Sequence, residues 1–318
     1  MNRRNLANKI SIVILVIILL TMPIVIKGAY IIHIMIMAGI SVILCTSLRL
    51  ILMAGIYNLG HIAFYAIGAY LYTLLSMFFH LSFWLLLPLT GIIPAAISVG
   101  FGYLTIRVRG IYFLMMTLAF VEIVRLTLMA VPFLGTRRVV SIPPPNPIVI
   151  PNLLTIEFNS KVPYYYLILV LIGITIAVLY FIEKSRFGDN LKSIAVSEPL
   201  CESLGINTTR NKVFAFAIGS FFAGITGCFF AGYVGIISPG TFSVWASVML
   251  MLAVILGGAG SIWGPMIGAT FMTILPEALR GAAIYEPMIS ATILILIIYF
   301  LRGGLITLPE VVRAKITR

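Results

Sequence analysis

Two pairs of opposite charges lie within runs of apolar residues. Glu122 and Arg125 are three residues apart, and Glu277 and Arg280 have the same spacing. In a helix this spacing places both side chains on one face, where they can form an ion pair. Ionisable groups at membrane depth are costly and commonly mark a transport pathway or a coupling site. The alternative is structural, because each pair can neutralise itself near the outer interface and fix helix packing.

A second group of candidates combines aromatic and polar side chains. Tyr57, His61 and Tyr65 recur every four residues, and Asn58 follows the first of them. If this stretch is helical, the side chains form one polar stripe on a helix that otherwise carries Leu, Ile and Ala. Such a stripe either lines a translocation pathway or makes ordinary hydrogen bonds between helices.

Motifs for catalysis and for metal or nucleotide binding are absent from the sequence. The histidines His33, His61 and His80 lie in different apolar runs, and the three cysteines have no metal-site or disulfide spacing. There is no zinc-protease motif, no nucleophile elbow and no Walker A loop. The sequence therefore predicts a protein that is not an enzyme, has no metal site or cofactor of its own, and does not hydrolyse ATP itself.

The stretch Glu183–Lys212 is strongly polar and is predicted to be exposed to solvent, since nine of its 30 residues are charged. Within it, Ser197-Glu198-Pro199 predicts the start of a short helix. Serine is a good N-cap, an acidic side chain suits the positive helix end, and proline is tolerated in the first turn. Gly205 predicts the end of this helix. A short capped helix on a water-facing loop is a suitable contact for another protein.

Membrane helices must position all of these residues. The 318-residue chain is 61% hydrophobic and 9% charged, whereas soluble domains are about 25% charged. Because about 20 apolar residues cross a bilayer, the sequence predicts an all-α, polytopic transmembrane bundle of ten helices in a single domain, residues 1–318. The predicted spans are Ile10–Ile26, Tyr30–Ser47, His61–Phe79, Phe83–Ile106, Ile111–Val131, Tyr164–Ile182, Val213–Gly235, Phe242–Leu256, Pro265–Leu279 and Met288–Leu301.

Proline and glycine mark the segments between and within the spans. Pro132–Pro163 contains seven prolines and predicts an extended external loop. Glycine breaks leave open whether Gly39–Gly60 and Gly240–Gly264 form turns or re-entrant segments. Glycines at four-residue spacing predict close helix packing, because small residues let helices approach. These packing glycines are Gly260, Gly264 and Gly268.

The distribution of basic residues predicts the orientation. With ten crossings and the N-terminus inside, both termini and Glu183–Lys212 are cytoplasmic, and fifteen of the 21 Lys and Arg residues lie on that side. This excess follows the positive-inside rule, and an odd number of crossings would break it. The net charge of +12 is scattered over helix ends and does not indicate nucleic-acid binding.

Four blocks of the sequence resemble the signature regions of the branched-chain amino acid ABC-transporter permeases, specifically the M-type of the two permeases. In family order, the blocks are Gly55–Tyr70, Arg107–Leu126, Ser185–Gly227 and Ile255–Ala269. The resemblance implies a heterodimer with a second, H-type permease. It also implies two cytoplasmic ATP-binding subunits, which use the ATP, and an external substrate-binding protein.

The resemblance further implies that the short helix of Glu183–Lys212 is the coupling helix, seated in a cleft of the ATPase. Glu198, Glu202, Leu204 and Gly205 match the family pattern, and Cys201 stands where a small residue such as alanine is commoner. The predicted coupling residues are Ser197, Glu198, Pro199, Leu200, Glu202, Leu204 and Gly205.

One region departs from the family pattern. After the fifth span the family tends to have Thr-Gly-Gly-x-x-Gly before Ile-Pro, whereas Phe133–Pro143 has one glycine, Gly135, and two arginines, Arg137 and Arg138. This region is at the predicted outer mouth. The substrate is therefore left open between branched-chain (hydrophobic) amino acids and urea or short amides, whose permeases share much of the pattern.

Together these features predict a plasma (inner) membrane permease subunit of an ATP-driven importer. It translocates substrate delivered by the binding protein through alternating access, by rigid-body movement of the permease pair. The competing class is a self-sufficient secondary transporter, which requires coupling carboxylates near the bilayer midplane. Only Glu122 and Glu277 are candidates for such a role, and each has an arginine neighbour.

Overall fold

The computed structural model describes residues 17–23, 28–106, 108, 110–131, 140–141, 144–150, 154–301 and 303–308. Six of its helices, α1–α5 and α8, are long and apolar enough to cross a membrane, which confirms an all-α transmembrane bundle. The helices are α1 (Ala29–Leu52), α2 (His61–Phe79), α3 (Phe83–Thr105), α4 (Ile111–Ala130), α5 (Lys161–Glu183), α6 (Arg186–Val196), α7 (Glu198–Ser203), α8 (Thr208–Val234), α9 (Val244–Gly257), α10 (Trp263–Ala278) and α11 (Glu286–Phe300).

The predicted spans match these helices with shifts at their ends. α5 begins at Lys161 rather than Tyr164 and so carries Pro163 in its first turn, where a missing N–H is tolerated. α9, α10 and α11 have 14, 16 and 15 residues, fewer than the roughly 20 that cross a bilayer. Of the predicted span Ile10–Ile26, residues 17–23 are described and are helical.

Some predicted features lie outside the described residues. They are the basic terminal segments, Arg107 and Arg109, and the divergent element with Gly135, Arg137 and Arg138.

α8 is the central helix, and it packs against α1, α2 and α3. Glycines make this packing possible. A Cβ atom on Gly224 would overlap the carbonyl oxygen of Thr90 on α3, and one on Gly227 would overlap that of Tyr65 on α2. Only a residue without a side chain therefore lets these three helices approach so closely.

The proline-rich segment Pro132–Pro163 contains short strands. β2 (Ile148–Ile150) pairs antiparallel with β3 (Leu154–Ile156). β1 (Val140–Ser141) pairs antiparallel with β4 (Ile236–Ile237), which follows α8. The loop is thus attached to the end of α8 by short extended strands, and its external placement stays a prediction.

Two non-helical segments pass into the helix bundle. Between α1 and α2, the N–H of Leu59 donates to Thr117 Oγ1 at 3.3 Å and that of Gly60 donates to Asn58 Oδ1 at 2.8 Å. Before α9, Pro239 and Phe242 of the 3-10 turn Pro239–Phe242 are buried, whereas Gly240 and Thr241 between them are exposed. Buried backbone groups need partners of this kind because no water reaches them. The break before α2 is therefore enclosed by protein at residues 58–60, and the break before α9 is only partly enclosed.

Candidate functional site

The helices run back and forth between two ends of the bundle. One, here called the α7 end, carries α6, α7, the C-terminal ends of α1 and α5, and the start of α8. Arg49 of α1 meets Glu183 of α5 there. The opposite end, here called the Tyr30 end, carries the start of α1 and the end of α10, where the Tyr30 hydroxyl donates to Glu277.

The predicted short helix is present as α7. Ser197 occupies the N-cap position and Pro199 lies in the first turn. The Ser197 side chain makes no capping hydrogen bond, so the predicted capping bond is not formed. The helix starts without that bond because proline presets the helical backbone and the acidic Glu198 faces the positive helix end.

The C-terminal end of α7 forms a Schellman motif. The N–H of Gly205 donates to the carbonyl of Glu202 and that of Ile206 to the carbonyl of Cys201, both at 3.0 Å. Gly205 has φ +81°, a conformation that glycine adopts without strain. The helix therefore ends at the position that Gly205 predicts.

Both acidic side chains of α7 bond to α8 of the same chain. Glu198 Oε1 lies 2.5 Å from Lys212 Nζ, and Thr208 Oγ1 donates to Glu202 Oε1 at 2.8 Å. Lys212 is only 9% exposed. These two contacts attach α7 to the first turns of α8.

The outward surface around α7 combines exposed apolar side chains with the polar Glu202 and Ser203. Leu200, Leu204 and the preceding Val196 are all exposed, Leu204 to 73%. Cys201 faces the other way and is buried. α7 is bonded to α8 on its inner side and exposes apolar side chains on its outer side. Such a surface is suited to protein contact.

A buried ion-pair group, here called the Arg49 cluster, lies at the same end. Arg49 bonds to Glu183 through both carboxylate oxygens, at 2.8 and 3.0 Å, and its Nε donates to the carbonyl of Ala259 at 2.8 Å. Lys192 Nζ lies 3.3 Å from Glu183. The Arg49 side chain is 4% exposed. The cluster therefore connects α1, α5, α6 and the loop between α9 and α10.

Arg49 is one of the fifteen basic residues that the orientation prediction assigns to the cytoplasmic side, and its ion pair was not predicted. The sequence signal for a distant partner is that no acidic residue lies three or four positions from Arg49 in its apolar run. Such an arginine needs a carboxylate from another helix. Glu183, at the end of a different span, was an available candidate.

The predicted polar stripe of Tyr57, His61 and Tyr65 is not formed. α2 begins at His61, so Tyr57 and Asn58 precede the helix. Tyr57 is 56% exposed, whereas Asn58 and His61 are buried. The stripe fails because Gly55, at φ +75°, turns the chain out of helical geometry before this stretch.

The two stripe residues that share a helix make contacts within the bundle. His61 Nε2 lies 2.9 Å from Ser47 Oγ on α1. The ring of Tyr65 packs against that of Phe242, with centroids 5.2 Å apart. A pathway role for these residues and for Tyr57 and Asn58 stays a prediction.

The pair Glu122–Arg125 forms within α4. Arg125 Nε donates to Glu122 Oε2 at 2.9 Å, and its Nη2 donates to the other carboxylate oxygen. The side chains are 37% and 22% exposed. Two bonds within one helix match the structural alternative, and neither residue lines the cavities described below.

The pair Glu277–Arg280 is looser and involves a third residue. Arg280 Nη1 lies 3.9 Å from Glu277 Oε2. It donates to the Tyr30 hydroxyl at 2.9 Å, and that hydroxyl donates to Glu277. The Arg280 side chain is 71% exposed. This pair therefore presents both charges at the Tyr30 end.

Gly264 and Gly268 lie where α10 crosses α9. A Cβ atom on Gly264 would overlap the carbonyl oxygen of Gly258, and one on Gly268 would overlap that of Ala253. Gly260 has no neighbour within 4 Å of such an atom. The packing prediction is wrong for Gly260, because α10 begins only at Trp263.

Two adjoining cavities open between the helices. The smaller, at the Tyr30 end, has a volume of about 480 Å³, and His33, Glu277 and Arg280 line it. The larger has about 740 Å³, lies between α1, α2, α9, α10 and α11, and is mainly apolar. Their shared lining residues are Met37, Thr273 and Pro276.

The described residues offer binding groups rather than metal ligands. Within that part of the chain, no three His, Cys, Asp or Glu side chains are grouped to hold a metal ion. Cys45, Cys201 and Cys228 are free and buried. The arrangement supplies an apolar protein-contact surface at one end and a charged, partly apolar cavity at the other.

Comparison with known proteins identifies relatives of the chain. The profile described as "Branched-chain amino acid transport system / permease component" matches residues 30–301. The chain is 30% identical over 264 residues to the high-affinity branched-chain amino acid transport system permease protein LivM of Salmonella typhimurium, covering 77% of this chain and 62% of that protein. It is 29% identical over 253 residues to LivM of Escherichia coli K12, covering 72% and 58%.

The corresponding LivH protein of Escherichia coli K12 is 34% identical over 107 residues, which is 34% of each chain. No solved structure matches. The chain spans less than two thirds of the length of either LivM protein. The longer match to LivM than to LivH confirms the resemblance to the M-type. Since the family profile covers most of its length, the chain belongs to the family of branched-chain amino acid transport system permease components.

Proposed function

We propose that this chain is the membrane-spanning permease subunit of an ATP-driven importer for branched-chain amino acids. The observation that carries the proposal is α7, a helix that ends in a Schellman motif, is anchored to its own chain and exposes leucine side chains. A helix held in this way transmits force from a docked subunit instead of yielding to it. The family membership supports the same function.

Force applied to α7 has two routes into the bundle. One route runs through Glu198 and Lys212 into α8, the central helix. The other runs through α6, where Lys192 contacts Glu183, and then through Arg49 to the loop before α10. Movement of α7 therefore reaches helices on both sides of the bundle, as rigid-body alternating access requires.

The partners follow from the family and from what this sequence lacks. The importer pairs this chain with a second permease, two cytoplasmic ATP-binding subunits and an external substrate-binding protein. ATP is used by the partner subunits, because the sequence has no Walker A loop. The chain itself is not an enzyme and carries no cofactor.

The topology consists of ten crossings in the plasma (inner) membrane, with both termini cytoplasmic. The helical residues 17–23, together with α1–α5 and α8–α11, supply ten elements. Under this assignment the α7 end is cytoplasmic, which agrees with the excess of basic residues predicted there. The Tyr30 end then faces outward and receives the substrate.

Branched-chain amino acids are favoured over urea or short amides as the substrate. The relatives that match over most of this chain are named as branched-chain amino acid permeases. A secondary transporter is disfavoured, since Glu122 is bonded to Arg125 and Glu277 is bonded to Tyr30 beside Arg280. Neither carboxylate stands alone as a coupling group.

The test is co-purification of the tagged chain from its native membrane in mild detergent. We expect two ATP-binding subunits and a second permease to remain bound. The substitution Leu204→Asp should remove the ATP-binding subunits, because it places a charge in the apolar contact. Asn207→Asp is the matched control, since it adds the same charge three residues away and preserves the N-cap of α8.

Two results would contradict the proposal. One is recovery of a lone chain or homo-oligomer that moves solute into liposomes without ATP. The other is unchanged recovery of ATP-binding subunits with Leu204→Asp, which would place their contact elsewhere.

A further inference from the structure

The two cavities adjoin: the smaller, here called the mouth, is lined by charged groups, and the larger, here called the interior, is mainly apolar. The mouth lies at the Tyr30 end, and the shared residues Met37, Thr273 and Pro276 lie between it and the larger cavity. The larger volume, about 740 Å³, is within the roughly 300–1,000 Å³ of small-molecule sites. A ligand that fits this space has a charged end and a compact apolar end.

The mouth offers one group of each charge. Glu277 can bind an ammonium group, and the fork-shaped guanidinium of Arg280 can bind a carboxylate through two parallel hydrogen bonds. These two groups are 3.9 Å apart and are linked by the Tyr30 hydroxyl. A ligand with an amino and a carboxylate group on the same carbon presents its charges at a comparable spacing.

The interior offers apolar surface with few polar groups. Its lining includes aliphatic and thioether side chains from five helices, namely Ile40, Ile62, Leu250, Met272 and Leu294. An aliphatic side chain of a few carbons is favoured there by burial, at about 0.8 kcal/mol per CH₂ in general. Urea and short amides have no such apolar end.

Some polar groups in the wall of the larger cavity lack a hydrogen-bond partner. The Ser290 hydroxyl lines it and has no hydrogen-bond partner. Pro276 is inside α10 and lacks the N–H that would bond to the carbonyl of Met272. These groups can orient a polar ligand that passes from the mouth into the interior.

We propose that this space is a substrate site within the permease chain, where Glu277 and Arg280 hold the amino and carboxylate groups of a branched-chain amino acid and the larger cavity holds its aliphatic side chain. The proposal rests on the proposed import function. It adds to that function a binding step on this chain, after release from the binding protein. The permease then contributes to substrate selection, and the binding protein is not its sole determinant.

The first test measures side-chain selectivity in the complete transporter, reconstituted in liposomes with ATP and the loaded binding protein. Ala291→Trp enlarges an exposed side chain that lines the larger cavity. We expect leucine uptake to fall about tenfold further than uptake of the smaller valine. Ile295→Trp is the matched control, because Ile295 lies one turn along α11, is 67% exposed, and does not line the cavity.

The second test measures binding of radiolabelled leucine to the purified complex without the binding protein. Glu277→Gln and Arg280→Gln should each weaken this binding about tenfold or more. Glu157→Gln, at an exposed acid of the same end that lines neither cavity, should leave it unchanged. Elution volume on gel filtration controls for folding.

The outcomes separate the site from the proposed function. If the wild-type complex shows no ATP-dependent uptake of leucine or valine, the import function itself fails. If it imports both, but Ala291→Trp and Ile295→Trp behave alike, the cavity is not the substrate site and a lipid chain or another helix fills it. If uptake falls with Glu277→Gln while leucine binding persists, the charges act on the binding protein and the site is also refuted.

Discussion

The two ends of the bundle use the same kinds of charged group in opposite ways. At the α7 end, Arg49 is enclosed, bonds to both oxygens of Glu183, and also bonds to a backbone carbonyl. At the Tyr30 end, Glu277 and Arg280 stand 3.9 Å apart, and the arginine is mostly exposed. Burial thus fixes the pair of Arg49 and Glu183, whereas the charges of Glu277 and Arg280 remain available to a ligand.

The difference follows from solvation. An enclosed charge has lost its water and depends on its partner, so removing that partner is severe. An exposed pair is screened by water and contributes little to stability, and its groups can exchange partners at low cost. The enclosed pair is therefore suited to transmitting motion, and the exposed pair is suited to binding and releasing a ligand.

Arg49→Gln tests the fixed end and should have the largest effect. It leaves Glu183 enclosed without its main partner, so we expect the free energy of unfolding to fall by about 3–5 kcal/mol. Denaturant titration of the purified chain in detergent measures this loss. Arg210→Gln, at an exposed arginine of the same end, is the control.

The double substitution Arg49→Gln with Glu183→Gln sharpens this result. It removes both charges, so it should be less destabilising than the sum of the two single changes. Strict additivity would show that the two side chains do not stabilise one another.

Lys212→Met tests an intermediate degree of enclosure. The side chains of Lys212 and Glu198 are 11% and 22% exposed, so we expect a loss of about 1.5–3 kcal/mol, as for a hydrogen bond to a charged group. We also expect weaker stimulation of ATP hydrolysis by substrate, because α7 loses a bond to α8. A loss as large as that of Arg49→Gln would break the proposed relation between enclosure and stability.

Arg280→Gln should have the smallest effect on stability. Its side chain lies mostly in solvent, so we expect an unchanged Tm in detergent. A clear drop in Tm would show that the pair at the Tyr30 end is structural, and would remove the contrast between the two ends.

Features set by local sequence were predicted well. The spans follow from lengths of apolar sequence, and the end of α7 follows from Gly205, which adopts φ +81°. The pairs Glu122–Arg125 and Glu277–Arg280 were foreseen because three-residue spacing joins them on one helix. Each of these predictions needed only a few neighbouring residues.

Features that depend on distant residues were missed. Arg49 and Glu183 are 134 positions apart, and no local spacing links them. The stripe through Tyr57 and the packing role of Gly260 failed because periodicity was extended across residues that are not helical. The cavities likewise arise from five helices that meet only in the folded chain.

The glycine crossings of α8 have a consequence for how the bundle moves. Where Gly224 and Gly227 meet the backbones of α3 and α2, no side chain is present to change rotamer and accommodate sliding. These three helices therefore form one block that cannot shear internally. α9 and α10 pack closely where they cross at Gly268, and they form a second block. For the proposed alternating access, relative movement of the two blocks must then be accommodated by the segment that joins α8 to α9, where Gly235 has φ +71°.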